Sequence, residues 1–457
     1  MNELIERTES KRPLWREIER YRQRNHSWAA KKSVCVVSGL SGCGKTTLLL
    51  RYFKSKNRKV FYFSFAGLEE SAALRLMERR INEVTGQTVS GWDEAFTVLA
   101  RRYKNILFDD IAALVTYKQF QPSFYEYIIT DIHTRPFVVF LAQPNEEIKG
   151  LADNYAFFQV DYFSVPDMVK CFPKLSKADK LGICTVSGGI PKIFSEYEPT
   201  ISFEENLRHM LRPGSAFCTF MPELLSKYFR RPENDHAILH AIANGSHKVS
   251  EIGKFTGFAY NKCDNYLSAL VDLGIVSAHK EKMKSGAKKT LYRQKNSYFR
   301  LWYRYIYENQ AALQVGDEKL TDSIIQNIID KEIHDFHIEK AFALANYKIY
   351  WELWNGFRIS DKVVYAPKTI RKGKFSYTFD AIARNGEKAV FIKVFKDANE
   401  NCQPEELAKI RRAVTLVNMY YDSHVFIFSK RRFSDYAVHE AAKDDVISLV
   451  EIERLKF

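Results

Sequence analysis

An α/β fold built on a parallel sheet covered by helices is what this sequence predicts, and three observations predict it. Short apolar runs alternate with helix-patterned segments through the first third of the chain. A glycine-rich turn separates the first apolar run, Val34–Ser38, from a stretch that begins a helix near Thr46. A later apolar run, 105–108, ends in the acidic pair Asp109 and Asp110. Strands of parallel sheets read as nearly unbroken apolar runs because crossover helices cover both faces.

Each element follows from its own pattern. Residues 1–32 are charged and carry Leu14, Ile18 and Tyr21 at helix spacing. After the first strand and its helix, 60–65 reads as a second strand and 70–84 as a helix. The third strand is 105–108. A helix near 122–133 leads to a fourth strand, 137–141, and a fifth lies at 157–163. These make a core over 1–165. Residues 166–231 are mostly helical and suit a lid. Residues 232–308 read as short helices followed by alternating strands, and 309–330 as a polar linker helix. Residues 331–457 repeat the helix and strand alternation of an α/β domain.

Composition narrows the class. At 457 residues the chain exceeds one ordinary domain. An apolar fraction of 46% is ample for packed cores and excludes a disordered chain. The net charge of +14 is unevenly spread: residues 245–300 hold 11 Lys and Arg against 4 Asp and Glu. Half the excess therefore lies in one short region, which points to a local polyanion-binding surface. The seven cysteines are scattered without a CxxC pair, so neither a zinc site nor a disulfide framework is expected. The N-terminus has no apolar signal segment and no run of 18 apolar residues exists, so a cytoplasmic protein without a membrane span is expected.

The stretch from Gly39 to Thr46 matches GxxxxGK[ST]. Glycines let such a loop turn tightly and aim backbone N–H groups at phosphate, and the helix behind it adds unpaired N–H groups. The expected nucleotide-gripping residues are Gly39, Ser41, Gly42, Cys43, Gly44, Lys45, Thr46 and Thr47. Lys45 is placed to reach the outer phosphates and the Thr46 hydroxyl to ligate Mg²⁺. Asp109 is the second expected Mg²⁺ ligand, and Asp110 stands where a carboxylate would orient the attacking water. An Asp-Asp pair after a strand is also a helix cap. Gln143 and Asn145, beyond the fourth strand, are either γ-phosphate sensors or a simple Pro-Asn turn. Gly188-Gly189-Ile190-Pro191 ends a helical stretch.

In these segments the chain resembles the archaeal-type ATPases of the AAA+/STAND group, which also occur in bacteria. They join a P-loop ATPase to a winged helix and a C-terminal PD-(D/E)XK nuclease-like domain. Also carrying the resemblance are 249–252 with 266–276, and 296–305. It implies that Ile190 and Pro191 lie against adenine. Leu14-Trp15-Arg16-Glu17 departs from the family's Phe-x-x-Arg-Glu segment.

Within 232–308, helices are expected at 235–243, 249–256 and 260–273, with a core of Ile238, Leu239, Ile242, Ile252, Leu267, Leu270 and Ile275. Strands at 275–280 and 290–295 would flank a basic loop, 282–289. This is the pattern of a helix-turn-helix with a wing. Tyr260, Asn261, Lys262 and Asn265 would form the recognition face, and Lys282, Lys284, Lys288 and Lys289 would reach DNA phosphates. A module that only packs between domains is the alternative.

In active members of that family a strand Asp and a later Glu-x-Lys hold the nuclease metal. Asp380 and Lys393 match, but the acid position is Phe391. Glu339 is a candidate replacement. A single carboxylate holds Mg²⁺ poorly, so a degenerate, non-cleaving domain is expected, or an ordinary strand ion pair.

The sequence thus points to an ATP-binding and ATP-hydrolysing switch that uses Mg²⁺ and acts on duplex DNA, with a homo-oligomer allowed. Asp110 and Lys45 would be catalytic, and Arg135 is the guess for a charge supplied in trans. The rivals are an ATP-regulated, metal-dependent DNA nuclease and a nucleotide-bound regulator or scaffold without turnover. A small-molecule kinase fits less well, because it has no use for a basic wing.

Overall fold

The computed structural model describes residues 13–24, 34–130, 136–144, 155–282, 288–333, 363–364, 368–385, 388–395, 403–418, 422–429, 432–443 and 446–451. The chain divides into two compact units, Met1–Leu175 with Val186–Thr321 and Ser176–Thr185 with Asp322–Phe457.

The first unit opens with helix α1, Pro13–Arg24, strand β1, Val34–Ser38, and helix α2, Lys45–Ser55. Strand β2, Phe61–Ser64, is followed by α3, Glu70–Thr85, and α4, Gly91–Arg102. Strands β3, Asn105–Asp109, β4, Phe137–Ala142, and β5, Ala156–Gln159, complete one sheet of order β2-β3-β4-β1-β5. All its pairings are parallel. Strand residues alternate between faces, so each face has its own core. Val36, Phe63, Ile106, Phe108 and Phe140 pack with Met77 and Ile81 of α3 and Trp92, Phe96 and Leu99 of α4. Cys35, Val37, Leu107, Val139 and Leu141 pack with Leu48, Leu49, Tyr52 and Phe53 of α2 and Leu14, Trp15 and Ile18 of α1.

Two helical elements differ from the sequence expectation, and β5 is shorter than the expected 157–163, pairing with β1 only over Ala156–Gln159. Helix α4 has no counterpart in the sequence expectation; its buried face is Trp92, Ala95, Phe96 and Leu99, and it starts at Gly91, a poor helix former. The single helix expected near 122–133 is instead a 3₁₀ turn, Ile111–Thr116, a short helix, Phe120–Phe124, and a π turn, Tyr125–Thr130. Pro122 falls in the first turn of the short helix, where its missing N–H is tolerated.

Beyond the sheet come α5, Val165–Cys171, α6, Pro191–Phe194, α7, Phe203–Met210, and α8, Ala216–Tyr228. Three further helices follow: α9, Glu233–Ala243, α10, Val249–Thr256, and α11, Tyr260–Asp272. They bury Ile238, Leu239, Ile252, Leu267 and Leu270. A hairpin of β6, Val276–Lys282, and β7, Lys288–Gln294, then leads into α12, Ser297–Leu301, which continues as a π turn, Trp302–Ile306. The hairpin is longer than expected. Lys282 pairs with Lys288 and Glu281 with Lys289, so three of the four wing lysines lie on strands, not in a loop. Charged residues do not end an antiparallel ladder, because the ladder needs only backbone partners. Lys284 lies outside the described residues.

Helix α9 contains a buried carboxyl. Asp235 is fully buried, and its oxygens find no partner beyond its own backbone. Burial pushes it up to about 7. An unfolded Asp titrates near ~3.9. Between those values the folded chain holds a proton that the unfolded chain has lost, so this group's contribution falls as pH rises from about 4 to 7. Its neighbour His236, held down to about 4 by burial, acts in the opposite sense and loses stability as pH falls. Asp235→Asn should therefore stabilise the chain by about 2 kcal/mol at pH 8 and far less at pH 4. Urea denaturation at the two pH values measures this; an equal gain at both would refute it.

In the second unit, strands β8, Val363–Val364, β11, Ala381–Asn385, β12, Lys388–Phe395, β13, Asp422–Ser429, and β14, Ile447–Glu451, form a sheet of order β14-β13-β12-β11-β8. A separate hairpin joins β9, Lys368–Lys372, to β10, Phe375–Phe379. Helix Pro404–Asn418 packs Leu407, Ile410 and Val414 onto Phe379, Phe391, Val425 and Ile427.

Candidate phosphate-binding site

The site sits at the carboxyl ends of β1, β3 and β4, where open parallel sheets place ligands. Gly39 leaves β1 with its N–H on the Ala142 carbonyl at 3.3 Å, and a Cβ there would stand 2.2 Å from the Val160 oxygen. Gly42 and Gly44 have φ of 78° and 87°, which L side chains rarely adopt. A loop so twisted turns successive N–H groups toward one concave side, and α2 begins immediately at Lys45. Lys45 is buried, and its ammonium donates to the carbonyls of Gly39 at 2.6 Å and Leu40 at 3.3 Å.

Crossovers bring the distant acids to this loop. Thr46 Oγ1 donates to Asp109 Oδ2 at 2.6 Å. Tyr62, on neighbouring β2, donates to the same oxygen at 3.2 Å, and the Asp110 N–H donates to Asp109 Oδ1 at 2.8 Å. Burial and the Asp109 charge push the Tyr62 phenol up to about 12. Asp110 takes a left-handed backbone, φ 52°, and accepts the Gln143 side-chain amide at 2.8 Å. That conformation accounts for Asp at this position: short Asp and Asn side chains visit it far more readily than Glu.

A cleft of about 410 Å³ collects most of the expected residues: Ser41, Gly42, Gly44, Lys45, Thr46, Thr47, Asp110, Gln143 and Pro191. Four expected residues are off its wall: Gly39 and Asp109 meet it through their bonds to Lys45 and Thr46, and two others take other places. Cys43 buries its side chain in the core beneath the loop. Ile190 is also fully buried, behind Gly42 and not on the cleft wall. No residue of α1 lines the cleft; Leu14 and Trp15 pack against α2 instead. Asn145 and Arg135 lie outside the described residues. Sequence reasoning missed Arg51, Lys192, Ser195 and Lys227, which complete the wall. Arg51 lies one turn beyond Thr47 on α2 and could have been found by that i, i+4 spacing; Lys192 and Ser195, on α6 and just after it, and Lys227, on α8, carry no local signal.

The remaining expected residues form two other groups. On α11, Tyr260, Asn261, Lys262 and Asn265 are exposed while Cys263, Leu267 and Leu270 face the core. The Lys262 ammonium rests 3.7 Å from the centre of the Phe258 ring. In the second unit, Asp380 Oδ2 accepts the Val394 N–H at 2.8 Å and pairs with Lys393 Nζ at 3.5 Å. Phe391 is in the core, and among the described residues no cluster of three His, Cys, Asp or Glu side chains could hold a metal. Glu339 lies outside the described residues. No described helix is long and apolar enough to cross a membrane.

The sheet, the glycine loop and the acids at the strand ends match the fold of a P-loop NTPase. No family model matches the chain. It is 22% identical over 297 residues to an uncharacterized protein of Methanocaldococcus jannaschii; the match covers 62% of this chain and 66% of that relative. The chain thus spans just under two thirds of the relative's length. Among solved structures it is similar to the Walker-type ATPase PABY2304 of Pyrococcus abyssi, at 15% identity and a TM-score of 0.46, over 64% of this chain and 94% of that one. It is similar to the Aeropyrum pernix ORC1 protein in complex with DNA, at 14% identity and a TM-score of 0.30, over 68% and 92%. A third likeness is to the Thermotoga maritima RuvB Holliday junction branch migration motor, at 16% identity and a TM-score of 0.31, over 54% and 81%.

Proposed function

We propose that the chain is an ATP-binding and ATP-hydrolysing switch that acts with duplex DNA. The carrying observation is the convergence of Lys45, Thr46, Asp110 and Gln143 on one glycine-lined cleft, with Asp109 bonded to Thr46 at its edge. Backbone N–H groups of 42–47 and the Lys45 ammonium suit triphosphate oxygens. Thr46 and Asp109, already 2.6 Å apart, present the hard oxygen donors that Mg²⁺ prefers. When bound, Mg²⁺ would neutralise phosphate charge. Asp110, held by Gln143, is set to orient a water, and Gln143 can sense the outer phosphate through the same hydrogen bond. Pro191 offers an apolar wall to a base.

The three helices and hairpin over 233–294 support a winged-helix reading, with α11 as recognition helix and the hairpin as wing. Release of contacts to the outer phosphate after hydrolysis would re-aim this module. The deciding measurement is the ATPase rate with and without duplex DNA, across salt. A rate indifferent to DNA at every salt concentration would remove DNA from the proposal. Replacing Lys282, Lys288 and Lys289 together with alanine should weaken DNA binding on all sequences alike. The slope of log K against log salt should fall by about 2 to 3, because each lost phosphate contact removes ~0.9. An unchanged slope would mean that the hairpin does not touch DNA.

The 331–457 domain is proposed as a degenerate PD-(D/E)XK-like fold that does not cut. Asp380 is committed to Lys393 and to the β12 backbone. Plasmid incubated with the protein and Mg²⁺ or Mn²⁺ should stay intact; cleavage that disappears in Asp380→Ala would restore the nuclease reading.

A further inference from the structure

Helix α8 touches the phosphate-binding loop at one end and the helix behind the hairpin at the other. At its C-terminal end, the Ser41 N–H donates to the Tyr228 phenol oxygen at 2.8 Å, and Lys227 Nζ donates to Ser41 Oγ at 3.0 Å. Midway, the Phe220 ring lies so close to Gly42 that a Cβ there would stand 2.5 Å from it. The same ring packs edge-on to Tyr298 of α12, with centroids 5.8 Å apart. Near its start, α8 offers two backbone carbonyls to that helix: Tyr298 OH donates to Phe217 O at 2.8 Å and Trp302 Nε1 donates to Cys218 O at 2.9 Å.

The second of those bonds has a covalent cause. In an α-helix the Cys218 carbonyl would accept the N–H of residue 222, four places on. Residue 222 is proline and has no N–H. Proline inside a helix costs ~3 kcal/mol relative to alanine, and it leaves a carbonyl to be satisfied from outside. The Trp302 indole satisfies it from a fully buried ring, while Cys218 itself is half-buried. Trp302 and its neighbour Tyr303 then pack on His236 of α9, and Tyr303 OH shares a 2.8 Å hydrogen bond with His236 Nδ1. Contacts therefore run without a gap from Ser41 and Gly42 to the first helix of the three-helix module.

We propose that α8 is the coupling element between the phosphate-binding loop and the module of α9 to α12 with its hairpin, and that Pro222 creates its docking point for Trp302. Lys227, Tyr228 and Phe220 are positioning residues at the loop end. The inference rests on the nucleotide reading of the loop and adds the route by which occupancy is felt elsewhere. A chain of contacts is not coupling until both ends respond, so the test reads both ends at once. Amide hydrogen exchange of the full chain is followed with and without Mg²⁺ and a non-hydrolysable ATP analogue, in the parent, Trp302→Phe and Pro222→Ala. The two variants remove opposite partners of one bond: Phe keeps the ring packing without the donor, and Ala gives Cys218 its own helical N–H. In the parent, the analogue should slow exchange at 39–47 and change it at 233–306. In both variants the 39–47 response should persist and the 233–306 response should fall by at least about half. Protection at 39–47 with no change at 233–306 in the parent, or a full distal response in both variants, overturns the coupling. No protection at 39–47 in the parent overturns the nucleotide reading and the coupling with it.

Discussion

Lys45→Ala should lower ATP affinity by about 100-fold or more, roughly 3 kcal/mol, while the chain stays folded. Lys45 is the first residue of α2 and, among the described residues, the one buried lysine. Its ammonium is drawn back over the loop by two carbonyls, so it is aimed at the concave side that the glycines line. A charge-assisted hydrogen bond contributes ~1.5–3 kcal/mol, and an ammonium facing phosphate in a partly buried cleft lies at the upper end. Alanine suits the first turn of a helix and leaves Leu48, Leu49, Tyr52 and Phe53 packed on the sheet, so the fold should hold. Calorimetric titration with ATP and Mg²⁺, beside a thermal melt, measures both. An affinity within about threefold of the parent would mean that the loop does not bind phosphate.

Asp110→Asn should cut the ATPase rate by about 100-fold or more with nucleotide affinity little changed. The substitution removes the charge and little else. Asn tolerates the left-handed backbone at φ 52°, and its Oδ1 can still accept the Gln143 amide. What is lost is a carboxylate able to orient and polarise a water. Asp110→Glu supplies the contrast. It restores the charge on a longer arm but places a less tolerant residue at that φ, a strain on the order of 1 kcal/mol or more. It should recover only part of the rate. Single-turnover phosphate release, with affinities measured in parallel, separates the two effects. Full turnover in Asp110→Asn would move the catalytic role elsewhere, and the non-catalytic reading would regain ground if the parent itself does not turn over.

Much of the first unit was legible because its signals are local. Five apolar runs became five parallel strands, and the glycine turn fell between β1 and α2 where the motif placed it. Helix α4 was missed because its buried stripe starts at a glycine. The hairpin is longer than the lysine content suggests, because backbone pairing carries its strands on to Lys282 and Lys288. Cys43 and Ile190 share the cleft's segments yet bury their side chains, since neighbours along a chain point in different directions.

By itself the sequence determined the phosphate loop, since its conformation depends on three glycines and a helix start within one short stretch, and local sterics decide it. It also showed Phe391 at the position where the family it resembles carries a metal-binding acid. Only the tertiary structure decided that Thr46 meets Asp109, 63 positions away, that Gln143 steadies Asp110, and that Lys227 and Tyr228 reach Ser41. Those meetings depend on which strands the crossovers make neighbours and on how α8 packs against the glycine loop. No short-range pattern encodes them, because the free energy that selects them is shared over two cores instead of residing in the residues that meet.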